Sequence, residues 1–226
     1  MLLLHSLSIT AFGACEEFIK DAHGLILMGR AGSGKSTVAC ALAKEGFTPV
    51  FCGDLIREEM KSGSELGNSL KGFADKGEPL SEESVLEALK PHIIGVLSKP
   101  FVLDSFPLSL TQFDFLHALL GEHGLQDRTK LIYVDVDYRT ALSRIAYRLT
   151  CSGCAHTYNL KTCPPKNEGV CDECKATLFQ RPNDQKEVAE RRMTSFDRDT
   201  LPILDRAADL GYLALRITPE DKEGKK

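Results

Sequence analysis

The stretch GRAGSGKST, residues 29–37, sets the fold class, because it matches the phosphate-loop pattern GxxxxGK[ST] in the right context. It begins at the end of the apolar run LILMG, residues 25–29, which is typical of a strand buried on both faces, and it leads into the helical pattern STVACALAKEG. In such a loop the glycines let several backbone N–H groups point at one phosphate, and the helix N-terminus adds partial positive charge. The sequence therefore predicts a nucleoside triphosphate site formed by Gly29, Gly32, Ser33, Gly34, Lys35, Ser36 and Thr37.

Strand-like and helix-like patterns alternate along the rest of the chain. Further short apolar runs typical of buried strands occur at residues 48–52, 101–104, 130–136 and 211–217, and helical patterns separate them. This alternation predicts an α/β protein with a parallel sheet that helices cover on both faces. Residues 150–180 lose all periodicity and contain two cysteine pairs, which indicates a small inserted unit.

Composition and charge restrict the functional classes. The 226 residues suffice for one sizeable core and a small inserted domain, and the net charge of −4 argues against general nucleic-acid binding, which usually leaves a basic footprint. No apolar run reaches the roughly 18 residues that a membrane helix needs. The start MLLLHSLSITAFGAC has the apolar centre of a secretory signal but lacks its positive residues, so we interpret it as a short helical or disordered extension. We expect a cytoplasmic protein without nucleic-acid or membrane partners.

The two cysteine pairs have the spacing of a structural zinc site. The pattern is Cys151-x2-Cys154-x16-Cys171-x2-Cys174, which supplies four thiolates. His156 is a possible substitute ligand, and Cys163 between the pairs is expected to be a free thiol. The segment of residues 150–180 has too little apolar material for its own core, whereas structural zinc contributes about 10–16 kcal/mol in small domains.

The same spacing also occurs in zinc fingers that bind nucleic acid. Between the pairs, however, the basic residues are only Lys161 and Lys166, and Tyr158 is the only aromatic residue besides the histidine. A base-stacking platform needs more aromatic and basic side chains than this. A clasp that folds part of an enzyme is therefore the preferred interpretation.

Five segments occur in the order and spacing of one enzyme family. These segments are the phosphate loop, FCGDLIR at 51–57, VLDSFPLSLTQ at 102–112, RIAYR at 144–148, and LFQRPND at 178–184 with RR at 191–192. Together they resemble the adenylate kinase family of nucleoside monophosphate kinases, in its long-lid form with a zinc-binding lid. The resemblance implies a P-loop core (25–51, 81–149 and 181–217), a monophosphate-binding segment (52–80) and a lid (150–180). An N-terminal extension (1–24) and a charged tail (218–226) would flank them.

The resemblance also implies roles for individual residues. Those acting in transfer would be Lys35, Asp104, Arg148, Arg181 and Arg192. Besides the phosphate loop, Arg144 would lie along the ATP base and Arg148 against its phosphates. Those contacting AMP would be Cys52, Arg57, Ser105, Gln112, Arg181 and Arg192, with Arg57 on the phosphate and Gln112 on the adenine. Guanidinium forks suit phosphate oxygens, which is the physical reason for so many arginines. The family further implies Mg²⁺ with ATP and structural Zn²⁺, and we expect a monomer.

Three departures from the family pattern cluster in the acceptor site. Leu108 stands where an arginine normally grips the monophosphate, Ser105 replaces a glycine beside the acceptor base, and Cys52 replaces a hydroxyl residue. Arg30, an unusual cation inside the phosphate loop, is hypothesised to replace part of the lost charge.

These departures leave three hypotheses open. The first is a working adenylate kinase, which converts MgATP and AMP into two ADP. The second is a degenerate relative that binds nucleotide but transfers slowly. The third is a kinase for another nucleoside monophosphate, which is less favoured because Gln112 and the long cysteine-bearing lid are typical of adenine specificity.

Overall fold

The computed structural model describes residues 16–76 and 78–219. The strands are β1 (Gly24–Met28), β2 (Thr48–Phe51), β3 (Phe101–Asp104), β4 (Thr129–Val134), β5 (Arg148–Cys151), β6 (Thr157–Asn159), β7 (Leu178–Phe179) and β8 (Ala214–Ile217). The α-helices are α1 (Lys35–Lys44), α2 (Cys52–Ser62), α3 (Glu65–Lys76), α4 (Glu82–Ile94), α5 (Leu110–Glu122), α6 (Tyr138–Ala146), α7 (Lys186–Ser195) and α8 (Ile203–Asp209). Helices separate the strands from β1 to β4.

Five strands form one parallel sheet in the order β2-β3-β1-β4-β8. Strand β1 lies at its centre, with Leu27 opposite Asp104 of β3 and Ile132 of β4. The predicted fold class, a parallel sheet in a P-loop α/β protein, is confirmed. The carboxyl ends of parallel strands lie at one edge, so the phosphate loop after β1 and Asp104 at the end of β3 are brought together there.

Apolar residues on both faces of the sheet explain the continuous apolar runs. Alternate residues of each strand enter two different core clusters, because successive side chains point to opposite faces. One cluster contains Leu25, Leu27, Val102, Ile132 and residues of α1; the other contains Ile26, Met28, Leu103, Leu131 and residues of α4 and α5. The sheet edge that carries the phosphate loop therefore stands on a core packed from both sides.

A second, antiparallel sheet occupies the cysteine-bearing segment, in the order β6-β5-β7. Its buried core consists of Cys151, Tyr158, Cys171 and Leu178. The segment is inserted between α6 and α7, which pack against each other through residues such as Ile145 and Met193. So small a core agrees with the expectation that these residues need another source of stability.

The described part of the N-terminal extension packs on the main sheet. Phe18 and Ile19 contact the cluster of β1 and α1, and Lys130 donates from Nζ to the Phe18 carbonyl oxygen at 2.7 Å. Residues 1–15, with their signal-like pattern, and residues 220–226 of the charged tail lie outside the described residues. Within residues 16–76 and 78–219, no helix is both long and apolar enough to cross a bilayer.

Candidate active site

The loop between β1 and α1 has the backbone shape of an anion-binding cradle. Gly32 and Gly34 have φ angles of 81° and 98°, in the left-handed region that glycine adopts at no steric cost. Gly32 also lies against α6, where an added Cβ would approach the Ala141 carbonyl oxygen to 2.5 Å. Helix α1 begins at Lys35 directly after the loop, so its positive end adjoins the cradle. The neighbouring Ser33 is fully buried.

Lys35 lies inside this cradle rather than on the surface. Its Nζ donates to the carbonyl oxygens of Gly29 at 2.7 Å and Arg30 at 3.0 Å. Burial lowers the pKa of Lys35 to about 8; the Asp104 carboxylate acts in the opposite direction, and Arg192 and Arg148 lower the pKa further. A lysine in this environment gains when an anion binds, because a phosphate replaces the solvation that burial has removed.

We expect a pH dependence from this lysine. Since its pKa is about 8, the free enzyme carries the Lys35 charge below that pH and loses it above, so kcat/KM for ATP should fall about tenfold per pH unit beyond pH 8. Initial rates between pH 6 and 10 measure this. Unfolding caused by Lys35 would not explain this fall. The pKa of Lys35 is 10.5 in the unfolded chain and about 8 in the folded one, so the unfolded chain binds more protons between these pH values and the free energy of unfolding rises with pH there. A flat profile to pH 10 contradicts the expectation.

The end of β3 supplies oxygen groups next to the cradle. The Asp104 carboxylate accepts hydrogen bonds from Ser36 Oγ at 2.6 Å and Ser105 Oγ at 3.0 Å. Thr37 is exposed in the first turn of α1, beside Ser36. Carboxylate and hydroxyl oxygens of this kind suit Mg²⁺, which keeps several waters and binds through one or two carboxylates plus substrate phosphates. The donor set therefore fits the predicted magnesium position.

Five arginines surround the cleft beside the phosphate loop: Arg57, Arg144, Arg148, Arg181 and Arg192. Arg144 of α6 donates from Nη1 to the Ser33 carbonyl oxygen at 3.3 Å, which ties α6 to the loop. Desolvation lowers the pKa of Arg192 to about 10, and the neighbouring Arg148, Arg57 and Arg181 lower it further. Burial also lowers the pKa of Arg181, with Arg57 and Arg148 adding to the effect. The structure thus brings Arg148, Arg181 and Arg192 close enough to repel one another.

A buried carboxylate orients one of these arginines. Arg148 donates from Nε to Asp184 Oδ2 at 2.9 Å, and its Nη2 donates to the other carboxylate oxygen. The side chain of Asp184 is fully buried, whereas that of Arg148 keeps about a fifth of its surface exposed. Sequence reasoning quoted Asp184 only as part of the segment RPND and missed this role. The sequence does indicate a charged partner for Asp184, because this acid lies near Arg181 and two positions before α7, where it can pair with a guanidinium.

The residues that the sequence analysis assigns to the acceptor site have varied surroundings. Cys52, the first residue of α2, is buried, and burial raises its pKa. Arg57, one turn further on, forms an ion pair with Asp54. Ser105 has a φ of 67°, a left-handed conformation that costs a non-glycine residue about 1 kcal/mol, which explains why glycine is expected there. The Gln112 side chain is buried and accepts from the Leu108 backbone N–H at 2.8 Å.

Leu108 and Arg30 occupy different surroundings. Leu108 is 47% exposed, and its carbonyl oxygen accepts from Thr200 Oγ1 at 2.7 Å. The Arg30 guanidinium forms an ion pair with Asp197 and lies 3.9 Å from an Asp135 carboxylate oxygen. The hypothesis that Arg30 replaces the missing acceptor charge stays a prediction, and these contacts favour another role for it.

The four paired cysteines come together at one point. Their Sγ atoms all lie within 4.8 Å of one another, and those of Cys151 and Cys174 are 3.3 Å apart. Zn–S bonds of about 2.3 Å in a tetrahedron imply sulfur separations of roughly 3.8 Å, so the cluster is compatible with zinc. The N–H groups of Gly153 and Cys154 donate to Cys151 Sγ at 3.3 and 3.4 Å, which suits a thiolate. The fourth member is Cys171, while His156 and Cys163 lie outside the cluster.

Comparison with known proteins identifies the family. A family model described as "Adenylate kinase" matches residues 27–210, which is more than half of the chain. The chain belongs to the adenylate kinase family. An adenylate kinase of Carboxydothermus hydrogenoformans is 35% identical over 84% of this chain and 89% of the relative. The chain is also similar to an adenylate kinase of Archaeoglobus fulgidus, at 35% identity over 88% of this chain and 93% of the relative. An adenylate kinase of Bacillus subtilis is 33% identical over 84% of this chain and 88% of the relative.

The family resemblance predicted from the five motifs is thereby confirmed. As an adenylate kinase family member, the chain is a nucleoside monophosphate kinase, a phosphotransferase that binds nucleotides. The family match does not test the roles of individual residues, and Leu108 remains a departure at a site where the family pattern has an arginine.

Proposed function

We propose that the protein transfers the terminal phosphoryl group of ATP to AMP and so forms two ADP. The observation that carries this proposal is the crowding of cations in one cleft. Arg148 and Arg192 both lower the pKa of Lys35, and Asp104 is the group that raises it. Among the described residues of this cleft the cations outnumber the acids beside them, which are Asp54, Asp104 and Asp184, so a polyphosphate that binds between the cations stabilises them. The names of the relatives, adenylate kinases all, support the same reaction.

Transfer in such a cleft needs positioning and charge neutralisation rather than covalent chemistry. Lys35, already directed at the loop carbonyls, would turn to the outer phosphates and follow the phosphoryl group. Arg148, oriented by Asp184, would contact the donor phosphates, while Arg181 and Arg192 would span donor and acceptor. Asp104, with Ser36 beside it, would hold Mg²⁺, which would supply neutralisation of phosphate charge when bound. Closure of the lid would exclude water that otherwise hydrolyses ATP.

The cysteine cluster has a structural part in this proposal. Zinc on the four thiolates would fold the lid, since its core contains few apolar residues. Tyr158 accepts from the Asp172 N–H at 2.8 Å, and its hydroxyl oxygen lies 3.5 Å from Cys171 Sγ, where it would donate to a Cys171 thiolate. Such a partner orients a metal ligand. Thiolates that must stay reduced suit a cytoplasmic protein, and we expect the enzyme to act as a monomer.

An acceptor screen tests the proposed reaction. Purified protein is given MgATP with AMP, CMP, UMP or GMP, and ADP formation is followed by a coupled assay. We expect AMP to give the highest kcat/KM. Turnover near background with all four acceptors, together with tight ATP binding, would instead establish the degenerate relative, and a preference for CMP or UMP would establish a pyrimidine kinase.

Replacing Leu108 with arginine is expected to strengthen acceptor binding. A charge-assisted hydrogen bond to phosphate contributes about 1.5–3 kcal/mol, so Leu108→Arg should lower KM for AMP by roughly tenfold to a hundredfold while KM for ATP stays unchanged. Leu108 is 47% exposed, so the longer side chain has room. Leu110→Arg is the matched control, because Leu110 is also exposed and begins α5. Equal KM values in Leu108→Arg and the wild type would show that acceptor capture does not depend on this position.

A further inference from the structure

Arg30 makes contacts on both sides of the phosphate loop. Its backbone carbonyl oxygen accepts from Lys35 Nζ, as does that of Gly29. Its side chain extends away from Lys35 and donates from Nη2 to Asp197, and its guanidinium carbon lies 5.5 Å from the ring centroid of Phe196. One residue thus connects the loop that holds Lys35 to the segment that follows α7.

That segment is a π-helical turn, Phe196–Thr200, which we call the π-turn. It is closed by a hydrogen bond of 2.9 Å from the Leu201 N–H to the Phe196 carbonyl oxygen, and it continues directly from α7, which carries Arg192. At its other end Thr200 donates to the Leu108 carbonyl oxygen in the loop between β3 and α5. Single π-turns inside helices are frequent at functional sites. The π-turn therefore joins the phosphate loop, the loop between β3 and α5, and α7, which is the helix of Arg192.

The surroundings of the Arg30 side chain are not those expected of a residue that only stabilises the fold. Its side chain is only 18% exposed, and its Nε is buried without a hydrogen-bond partner among the described residues. The second nearby carboxylate, Asp135, is engaged by Arg216 and by the Tyr133 hydroxyl at 3.0 Å. An incompletely satisfied, partly buried cation is often less stabilising than an apolar side chain of similar size. Such a feature is more readily explained by a positioning role.

We propose that the Arg30–Asp197 ion pair is a positioning device that fixes the π-turn, and with it Arg192, relative to the phosphate loop. The pair sets the distance between Lys35 and Arg192, the two cations that the proposed transfer requires on either side of the moving phosphoryl group. Arg30 and Asp197 are positioning residues and need not touch substrate. This inference rests on the proposed function, since it assigns a role within the same reaction.

A double-mutant cycle with Arg30→Met and Asp197→Asn tests the device. Because small misplacements of catalytic groups are costly, each single variant should lower kcat about tenfold or more, with KM for ATP changed less than about twofold. The double variant should be no worse than either single variant, because both remove one interaction. Arg30→Lys, which keeps a charge, should recover part of kcat. Arg198→Met is the matched control, since Arg198 lies on the same π-turn, is 68% exposed and pairs with its neighbour Asp199.

Three outcomes overturn the inference: kcat unchanged in Asp197→Asn, additive losses in the double variant, or an equal loss in Arg198→Met. Asp197, at 44% side-chain exposure, is the safer position if Arg30→Met folds poorly. A wild type that forms no ADP rejects the proposed function separately. In that case calorimetric affinity for a bisubstrate analogue, two adenosines joined by five phosphates, decides between the outcomes. Weaker binding in Asp197→Asn than in Arg198→Met supports the device, and equal binding overturns it.

Discussion

Replacement of Lys35 with methionine is expected to reduce kcat by about a hundredfold to a thousandfold, the range observed when one preorganised donor is removed from a transition state. Methionine keeps most of the length and volume of lysine, so the cradle should stay packed while its charge is lost. Lys35 is buried and donates to two loop carbonyl oxygens. Without its ammonium group, those carbonyl oxygens would repel a phosphate. The expected result is thus a fall in kcat together with weaker ATP binding.

Steady-state kinetics and ATP titration calorimetry on the same preparation measure both effects. Lys44→Met is the matched control, because Lys44 is exposed in the last turn of the same helix, α1. We expect its kcat to remain within about twofold of the wild type, as is usual for surface substitutions. Wild-type kcat in Lys35→Met would show that the charge of Lys35 does not contribute to the transfer step.

Local patterns were sufficient for much of this fold and for the donor site. The run LILMG reads as a strand buried on both faces, and the structure divides Leu25 and Ile26 between two core clusters. The spacing GxxxxGKS requires glycines where the backbone turns, and its two glycines, Gly29 and Gly34, have φ angles of 150° and 98°. The CxxC spacing predicted a cluster that the four Sγ atoms do form. In each case the determining interactions lie within a few residues or within one repeated pattern.

Contacts between distant segments could not be predicted in the same way. Arg30 and Asp197 are 167 positions apart, and Leu108 and Thr200 are 92 apart. No periodicity relates such residues, because their approach depends on how α7 and the π-turn pack on the sheet. The acid in the segment RPND indicated a guanidinium partner for Asp184, but no pattern showed that this partner is Arg148, which is 36 positions away.

The cysteine-bearing sheet, β6-β5-β7, shows how a local motif can determine the geometry of residues that are proposed to act in transfer. Arg148 begins β5 and Arg181 follows β7, and these two strands pair in the sheet that carries the cysteines. The pairing joins Thr150 to Phe179 and Cys151 to Leu178. Whatever folds this sheet therefore also sets the distance between the two arginines.

Substitution of Cys171 by serine is accordingly expected to abolish zinc binding and to lower kcat by about a hundredfold, the cost of a misplacement of about 1 Å in reacting groups. Cys171 is fully buried and belongs to a core cluster of four buried residues, so loss of a metal worth about 10–16 kcal/mol in small domains should unfold the lid. Metal content by atomic absorption, kcat, and the rate of proteolysis within residues 150–180 measure the three consequences.

Cys163→Ser is the matched control, because Cys163 is exposed, lies in the same segment and is not part of the cluster. It should keep one zinc per chain and wild-type kcat. Retention of both in Cys171→Ser would mean that the remaining three thiolates suffice to hold the metal and to keep Arg148 and Arg181 in place. Zinc loss with unchanged kcat would mean that the metal protects the lid from proteolysis without positioning the arginines. Loss of zinc and of kcat together with faster proteolysis is the result that links the thiolate cluster to catalysis. None of the four cysteines carries the positive charge that the phosphates require, so the effect on kcat would act through the fold of the segment.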